Sequence, residues 1–175
     1  MHELAHEFTQ RKISPWGGIK FFHKTYVTSG TKSFITSLDL PQPGSNRGYD
    51  PVELIEGFMT SVVLGARRLE HSGMLRMDKV IAEIFNWQKG MASASTFSRF
   101  LDKFDVERND RIFPPLMKHI LDQVPIKYMT VDIDSSVITR YGNQECAVKG
   151  YNPGKRGRPS HHPIMAFSDE LKMVV

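Results

Sequence analysis

Apolar residues in the first two thirds of the chain recur at the spacing of helices. After a turn-rich break at residues 41–50, the first such row consists of Val52, Ile55, Phe58, Met59, Val62 and Val63. This period predicts an α-helix that buries the row. Asp50 and Pro51 form a typical helix start, because Asp accepts hydrogen bonds from free N–H groups and Pro suits the first turn. Glu53, three residues after Asp50, completes the pattern of a capping box.

Further helices are predicted on both sides of this one. Residues 13–40 carry short apolar groups, and residues 77–85 repeat the helical spacing. A third row, Phe97, Phe100, Leu101 and Phe104, follows Ser95. Pro114 and Pro115 are expected to start a last helix, because Pro is tolerated in the first turn. Residues 1–125 are therefore predicted to be helical.

The pattern changes at residue 126, where apolar and polar residues alternate. Met129, Val131 and Ile133 alternate with Thr130, Asp132 and Asp134, which predicts a β-strand. Residues 163–175 are expected to form two more strands around a turn at 168–170. The fold class expected is α+β, with a helical region at 1–125 and a β-rich region at 126–175.

The chain stops within an apolar stretch that ends at Val175. A few exposed strands are not stable alone, and an uncovered edge invites aggregation. We therefore expect residues 126–175 to be the beginning of a larger β-containing domain.

Composition narrows the class of protein. The 175 residues are 40% hydrophobic with a net charge of +4, which excludes a disordered chain and permits a nucleic-acid partner. No apolar stretch reaches the length of a membrane span. The single cysteine, Cys146, excludes a disulfide framework and a multi-thiolate zinc site. A cytoplasmic protein with no membrane partner is expected.

Asp132 and Asp134 are the leading candidates for chemistry. Residues two apart on a strand face the same side, so both carboxylates project together. Mg²⁺ prefers oxygen ligands and takes only one or two carboxylates from a protein. The alternative is an exposed strand face, or an Asp that caps a turn.

A second candidate is the segment 149–158, which holds four basic residues and no acidic one. Lys149, Lys155, Arg156 and Arg158 suit the neutralisation of phosphates, and Tyr151 suits stacking on a base or sugar. The run from Arg156 to Pro159 also matches the core of an AT-hook, a minor-groove reader. The alternative is a solvated loop.

Two weaker motifs remain. The helices at 76–86 and 95–104 resemble a helix-turn-helix with Arg99 facing outward, but their connection exceeds the usual turn of 3–4 residues, and the Phe row is more simply core. His2, Glu3 and His6 fit a zinc-protease pattern, which we reject because it lies at the very start of the chain.

Five ordered elements resemble the start of the catalytic domain of DDE-type transposases of bacterial insertion sequences, the transposase DDE domain group 1 family. They are Asp132–Ser136, Gly142–Gln144, Gly150–Pro153, Lys155–Arg158 and His162–Pro163. Segments of the helical region, among them Ser14–Gly18 and Ser95–Phe100, are also similar to that family. The resemblance covers essentially the whole chain.

This resemblance implies an RNase H-like catalytic domain that cleaves and joins DNA strands with Mg²⁺ or Mn²⁺. It implies Asp134 as catalytic metal ligand, Asp132 as its supporting neighbour, and Lys155, Arg156 and Arg158 as contacts to DNA phosphates near the metal. Lys149, Tyr151 and Arg99 are the further DNA contacts that we expect from the basic segment and the helix pair. The resemblance further implies double-stranded DNA as partner, a possible homodimer, and a location at the bacterial nucleoid.

The sequence departs from the family because the second Asp and the Glu of the metal site do not follow. Asp169 and Glu170 lie in a predicted turn and do not replace them. We therefore expect the N-terminal portion of a transposase, with weak or absent metal binding and no transposition alone. The alternatives are a non-catalytic DNA-binding regulator and an α+β domain in which neither candidate feature is functional.

Overall fold

The computed structural model describes residue 10 and residues 12–175. The chain divides into two compact units at residues 123 and 124. The first unit is helical, and the second contains all strands of the described part. This mixture agrees with the expected α+β class. Within the described residues, no helix is long and apolar enough to cross a membrane.

The first unit contains seven α-helices and one short 3₁₀ turn, Leu69–His71, within its described residues. The α-helices are α1 (Ile19–Thr28), α2 (Thr31–Ser37), α3 (Pro51–Val63), α4 (Ser72–Leu75), α5 (Lys79–Phe85), α6 (Ala94–Leu101) and α7 (Val106–Leu121). The main core surrounds Ile81, Phe85 and Phe97. A smaller core forms around Tyr26, Ile35 and Ile112.

Helix α3 begins as predicted, but it buries a different face. The Asp50 carboxylate accepts hydrogen bonds from the backbone N–H groups of residues 52 and 53. Of the predicted row, Val52, Ile55 and Met59 are partly buried against the smaller core. The prediction is wrong for the end of the helix, since Val62 and Val63 are each 53% exposed. The buried residues of α3 are Pro51, Leu54, Glu56, Gly57, Thr60 and Ser61.

The small residue Gly57 explains this choice of face. A Cβ atom at position 57 would lie 3.2 Å from both Met91 Sδ and Phe97 Cζ. The absence of a side chain therefore allows the Phe97 ring to lie close to the α3 backbone. Glu53 was predicted to complete a capping box with Asp50. Its Oε1 instead accepts the backbone N–H of Gln88 at 2.9 Å.

Helix α7 starts eight residues earlier than predicted. Asp105 caps it by accepting the backbone N–H of Arg108 at 2.8 Å, and Pro114 and Pro115 lie inside the helix. Prolines inside a helix remove hydrogen-bond donors. Here Ile112 and its neighbours on the same face of α7 pack against the smaller core. This packing stabilises the helix across both prolines.

The second unit contains two antiparallel three-stranded sheets. The first sheet has the order β1 (Val131–Ser135), β5 (Ile164–Ser168) and β6 (Met173–Val174). The second has the order β2 (Ile138–Thr139), β4 (Pro159–His161) and β3 (Val148–Lys149). The second sheet was not predicted, because strands of two or three residues are too short to show a period.

Candidate functional site

The two candidate carboxylates lie on an exposed strand. In the pairing of β1 with β5, Asp132 is opposite Phe167 and Asp134 is opposite Met165. Directly paired residues place their side chains on the same face. All five residues of β1 are exposed, so the strand face that carries Val131 and Ile133 is open as well.

The carboxylate of Asp134 is partly oriented by its own strand. Its Oδ1 accepts the backbone N–H of Ser135 at 2.7 Å. No other hydrogen bond or ion pair to the carboxylate of Asp132 or Asp134 occurs among the described residues. Most of the oxygen lone pairs on this face are therefore available to a cation or to solvent.

The chemistry of the two carboxylates fits a hard divalent cation. Two exposed carboxylates match the one or two protein oxygens that Mg²⁺ usually takes. Within the described residues, no group of three or more His, Cys, Asp or Glu side chains is placed to hold a metal. A metal bound here would depend on Asp132 and Asp134, and we expect its affinity to be low.

Glu170 has a structural role in the same sheet, which the sequence did not reveal. Its carboxylate accepts the backbone N–H and the hydroxyl of Thr130, each at 2.9 Å, and the hydroxyl of Ser168 at 3.2 Å. The hydrogen bond from the Thr130 backbone is the main reason that the pKa of Glu170 is lowered. Asp169 pairs with Lys172 in the turn. Both acids are thus engaged in the turn between β5 and β6.

The basic residues of segment 149–158 lie on one β-hairpin of the second unit. Strands β3 and β4 are paired, with Lys149 opposite Pro159, and residues 150–158 connect them. Lys155, Arg156 and Arg158 are exposed in this loop. Tyr151 is 76% exposed. The structure therefore gathers all five predicted DNA contacts of this unit on one hairpin.

A buried amide fixes the shape of this loop. Asn152 is 5% exposed; its Nδ2 donates to Thr139 Oγ1 and its Oδ1 accepts the backbone N–H of Lys155, each at 2.9 Å. The first contact ties the loop to β2 and the second holds the turn within the loop, so the basic side chains project from a held backbone. In the sequence, only the position of this Asn next to Pro in a glycine-rich turn indicated a structural role. Its partner 13 positions away could not be predicted.

Three further contacts link the hairpin to residues 140–145. The guanidinium of Arg158 lies 5.5 Å from the centre of the Tyr141 ring, a distance typical of a cation–π contact. Arg140 Nε donates to His161 Nδ1 at 3.0 Å, while His161 Nε2 lies 2.8 Å from the backbone oxygen of Glu145. His161, in β4, therefore connects the hairpin to Arg140 and Glu145.

Arg99 belongs to the first unit. It is exposed on α6, and its Nε donates to the backbone oxygen of Ser95 at 3.1 Å. The connection between α5 and α6 spans residues 86–93, longer than a helix-turn-helix turn. Phe97 and Phe100 are buried in the core. The apolar face of α6 therefore packs in the core, which was the alternative to a helix-turn-helix.

The pattern of His2, Glu3 and His6 lies outside the described residues. Cys146 is exposed and lies in a left-handed backbone conformation with φ of 58°.

Comparison with known proteins identifies one family. The family model described as "Transposase DDE domain group 1" matches residues 2–175. No curated protein and no solved structure matches the chain significantly.

Proposed function

We propose that this chain, which belongs to the transposase DDE domain group 1 family, is the part of a DNA transposase that binds the ends of its element and carries the first catalytic aspartate. The family supports a transposase function with DNA as substrate. The observation that carries the finer proposal is the pair Asp132 and Asp134 on one strand face, in the same compact unit as a basic hairpin loop.

In this proposal the second unit begins an RNase H-like catalytic domain. Transposases of this family typically use a divalent metal, here Mg²⁺ or Mn²⁺, which activates the attacking oxygen and offsets charge on the phosphate. Asp134 would hold the metal, since its carboxylate is already oriented by the Ser135 N–H. Asp132 would support it from the same strand face.

The hairpin loop would hold the DNA backbone. Lys149, Lys155, Arg156 and Arg158 are exposed cations, and none of them forms an ion pair within the described part of the chain. Such cations gain free energy by releasing counterions from DNA. Tyr151 is exposed beside them and suits contact with a sugar or base.

The proposal is tested by metal-dependent cleavage of element-end DNA with the complete transposase. Asp134→Asn should abolish cleavage while duplex binding stays within twofold of the wild type. Asp132→Asn should retain partial cleavage, and Asp169→Asn, an exposed acid paired with Lys172 in the turn, is the matched control. Full cleavage by Asp134→Asn would contradict the proposal.

A second candidate is a non-catalytic DNA-binding regulator. It is favoured by the observation that the described residues bring no third acidic ligand to Asp132 and Asp134. The same assay separates the two, because a regulator binds the element ends but does not cleave them at any metal concentration.

A further inference from the structure

A basic cleft lies in the helical unit, between the loop at residues 41–49 and helix α6. Its volume is about 450 Å³. Arg47 lies on the loop side, Arg99 and Lys103 lie on the α6 side, and no acidic residue lines it. Leu54 and Phe100 contribute apolar surface to the lining. None of the motifs found in the sequence accounts for this cleft as a whole.

The loop that forms one wall is held in a defined shape. Lys103 Nζ donates to the backbone oxygen of Gln42 at 2.8 Å, and Lys89 Nζ donates to that of Arg47 at 2.8 Å. A Cβ atom at Gly48 would lie 2.2 Å from Pro43 Cβ, so the loop folds tightly on itself. The position of Arg47 therefore follows from contacts at both ends of the loop.

The cations of the cleft keep most of their hydrogen-bonding capacity. Lys103 uses one of its three donors on Gln42, and Arg99 uses only its Nε, on Ser95. Within residues 12–175, none of Arg47, Arg99 and Lys103 forms an ion pair. Three like charges around one concave surface favour a polyanion that brings several charges at once.

The geometry points to this cleft as a second DNA-binding site, which grips the phosphate backbone of duplex DNA through Arg47, Arg99 and Lys103. The inference rests on the proposed function, which supplies DNA as the partner. It assigns the DNA contact of the helical unit to a loop and one side of α6, where a helix-turn-helix was considered from the sequence. Phosphate contacts of this kind position DNA without reading its sequence.

The test measures duplex binding of the whole chain at several salt concentrations. Each phosphate that a protein neutralises contributes about 0.9 to the slope of log K against log salt. The double variant Arg47→Ala/Arg99→Ala should therefore lower that slope by about 2. Lys20→Ala/Lys24→Ala removes the same charge from exposed positions on α1 and should leave the slope unchanged.

A third variant separates this inference from the proposed function. Lys155→Ala/Arg156→Ala removes two charges from the hairpin loop, which the proposed function requires for binding. If this variant lowers the slope while Arg47→Ala/Arg99→Ala behaves like the α1 control, the cleft is not a DNA site and the proposed function survives. If the wild-type chain binds no duplex, both are wrong.

A final arm distinguishes DNA from a free anion. Inorganic phosphate, added at constant ionic strength to the phosphate concentration of the duplex, should not displace the duplex. Displacement that is lost in Arg47→Ala/Arg99→Ala would show a site for single phosphates, and would overturn the inference.

Discussion

Removing the indole N–H of Trp87 tests the account of the helical core most sharply. Trp87 Nε1 donates to Glu56 Oε2 at 2.8 Å, and Lys32 Nζ lies 2.8 Å from Glu56 Oε1. Glu56 is 2% exposed, so its charge depends on these two partners. The burial of Tyr26 and the nearby Glu56 charge together raise the pKa of the Tyr26 hydroxyl.

The size of the effect follows from these contacts. Trp87→Phe keeps an aromatic ring against Phe85, which lies 4.8 Å away between ring centres, but it leaves a buried carboxylate oxygen without its donor. A hydrogen bond to a charged group contributes about 1.5–3 kcal/mol. We expect a loss of about 2–3 kcal/mol in the free energy of unfolding, a large part of the ~5–15 kcal/mol typical of a domain.

Urea unfolding, monitored by the helical circular-dichroism signal, measures this loss. The midpoint should fall while the slope of unfolding free energy against urea stays unchanged. Trp16→Phe is the matched control, because Trp16 is half-buried and its indole donates to no described residue. Its cost should be below about 1 kcal/mol. In a Glu56→Gln background the cost of Trp87→Phe should shrink, since the two residues are coupled. Equal losses for Trp16→Phe and Trp87→Phe would refute the reasoning.

Three further predictions concern the core, the turn and the loop. Phe97→Ala should cost about 3–5 kcal/mol by urea unfolding, while Leu101→Ala, on the same helix but exposed, should cost less than about 1 kcal/mol; similar costs would contradict the assigned core. Because its pKa is lowered in the folded chain, Glu170 stabilises the fold above its ordinary pKa of 4.5 and loses this effect as the pH falls. Glu170→Gln should therefore be less stable than the wild type at pH 7, and this difference should shrink as the pH falls below 4.5; a difference that does not change with pH would count against this role. Asn152→Ala should make the loop at residues 150–158 more sensitive to trypsin, with unchanged cleavage at Lys20 as the internal reference; equal sensitivity to the wild type would mean that Asn152 does not hold the loop.

Local signals in the sequence were sufficient to find the start of α3 and the acidic strand, whereas the start of α7 was predicted eight residues too late. Asp50 caps α3 through atoms two and three residues away, so the pattern alone identifies the contact. The alternation around Asp132 likewise predicts β1, because a strand period depends only on neighbouring residues. The family was identified in the same way, from short motifs in a fixed order.

Features that depend on distant partners could not be predicted. The fully buried face of α3 is set by Phe97 packing against Gly57, and the hydrophobic row predicted only residues that are partly buried or exposed. Glu170 and Asn152 are polar turn residues whose partners lie 40 and 13 positions away. A periodic pattern carries no information about such contacts, so their roles emerged only from the structure.

Transposition of a marked element tests the central claim most directly. A selectable marker flanked by the ends of the element is supplied with the complete transposase, and its transfer to new DNA is counted. The wild type should mobilise the marker, Asp134→Asn should reduce transfer to background, and Asp169→Asn should match the wild type. Transfer by Asp134→Asn at the wild-type frequency would contradict the account.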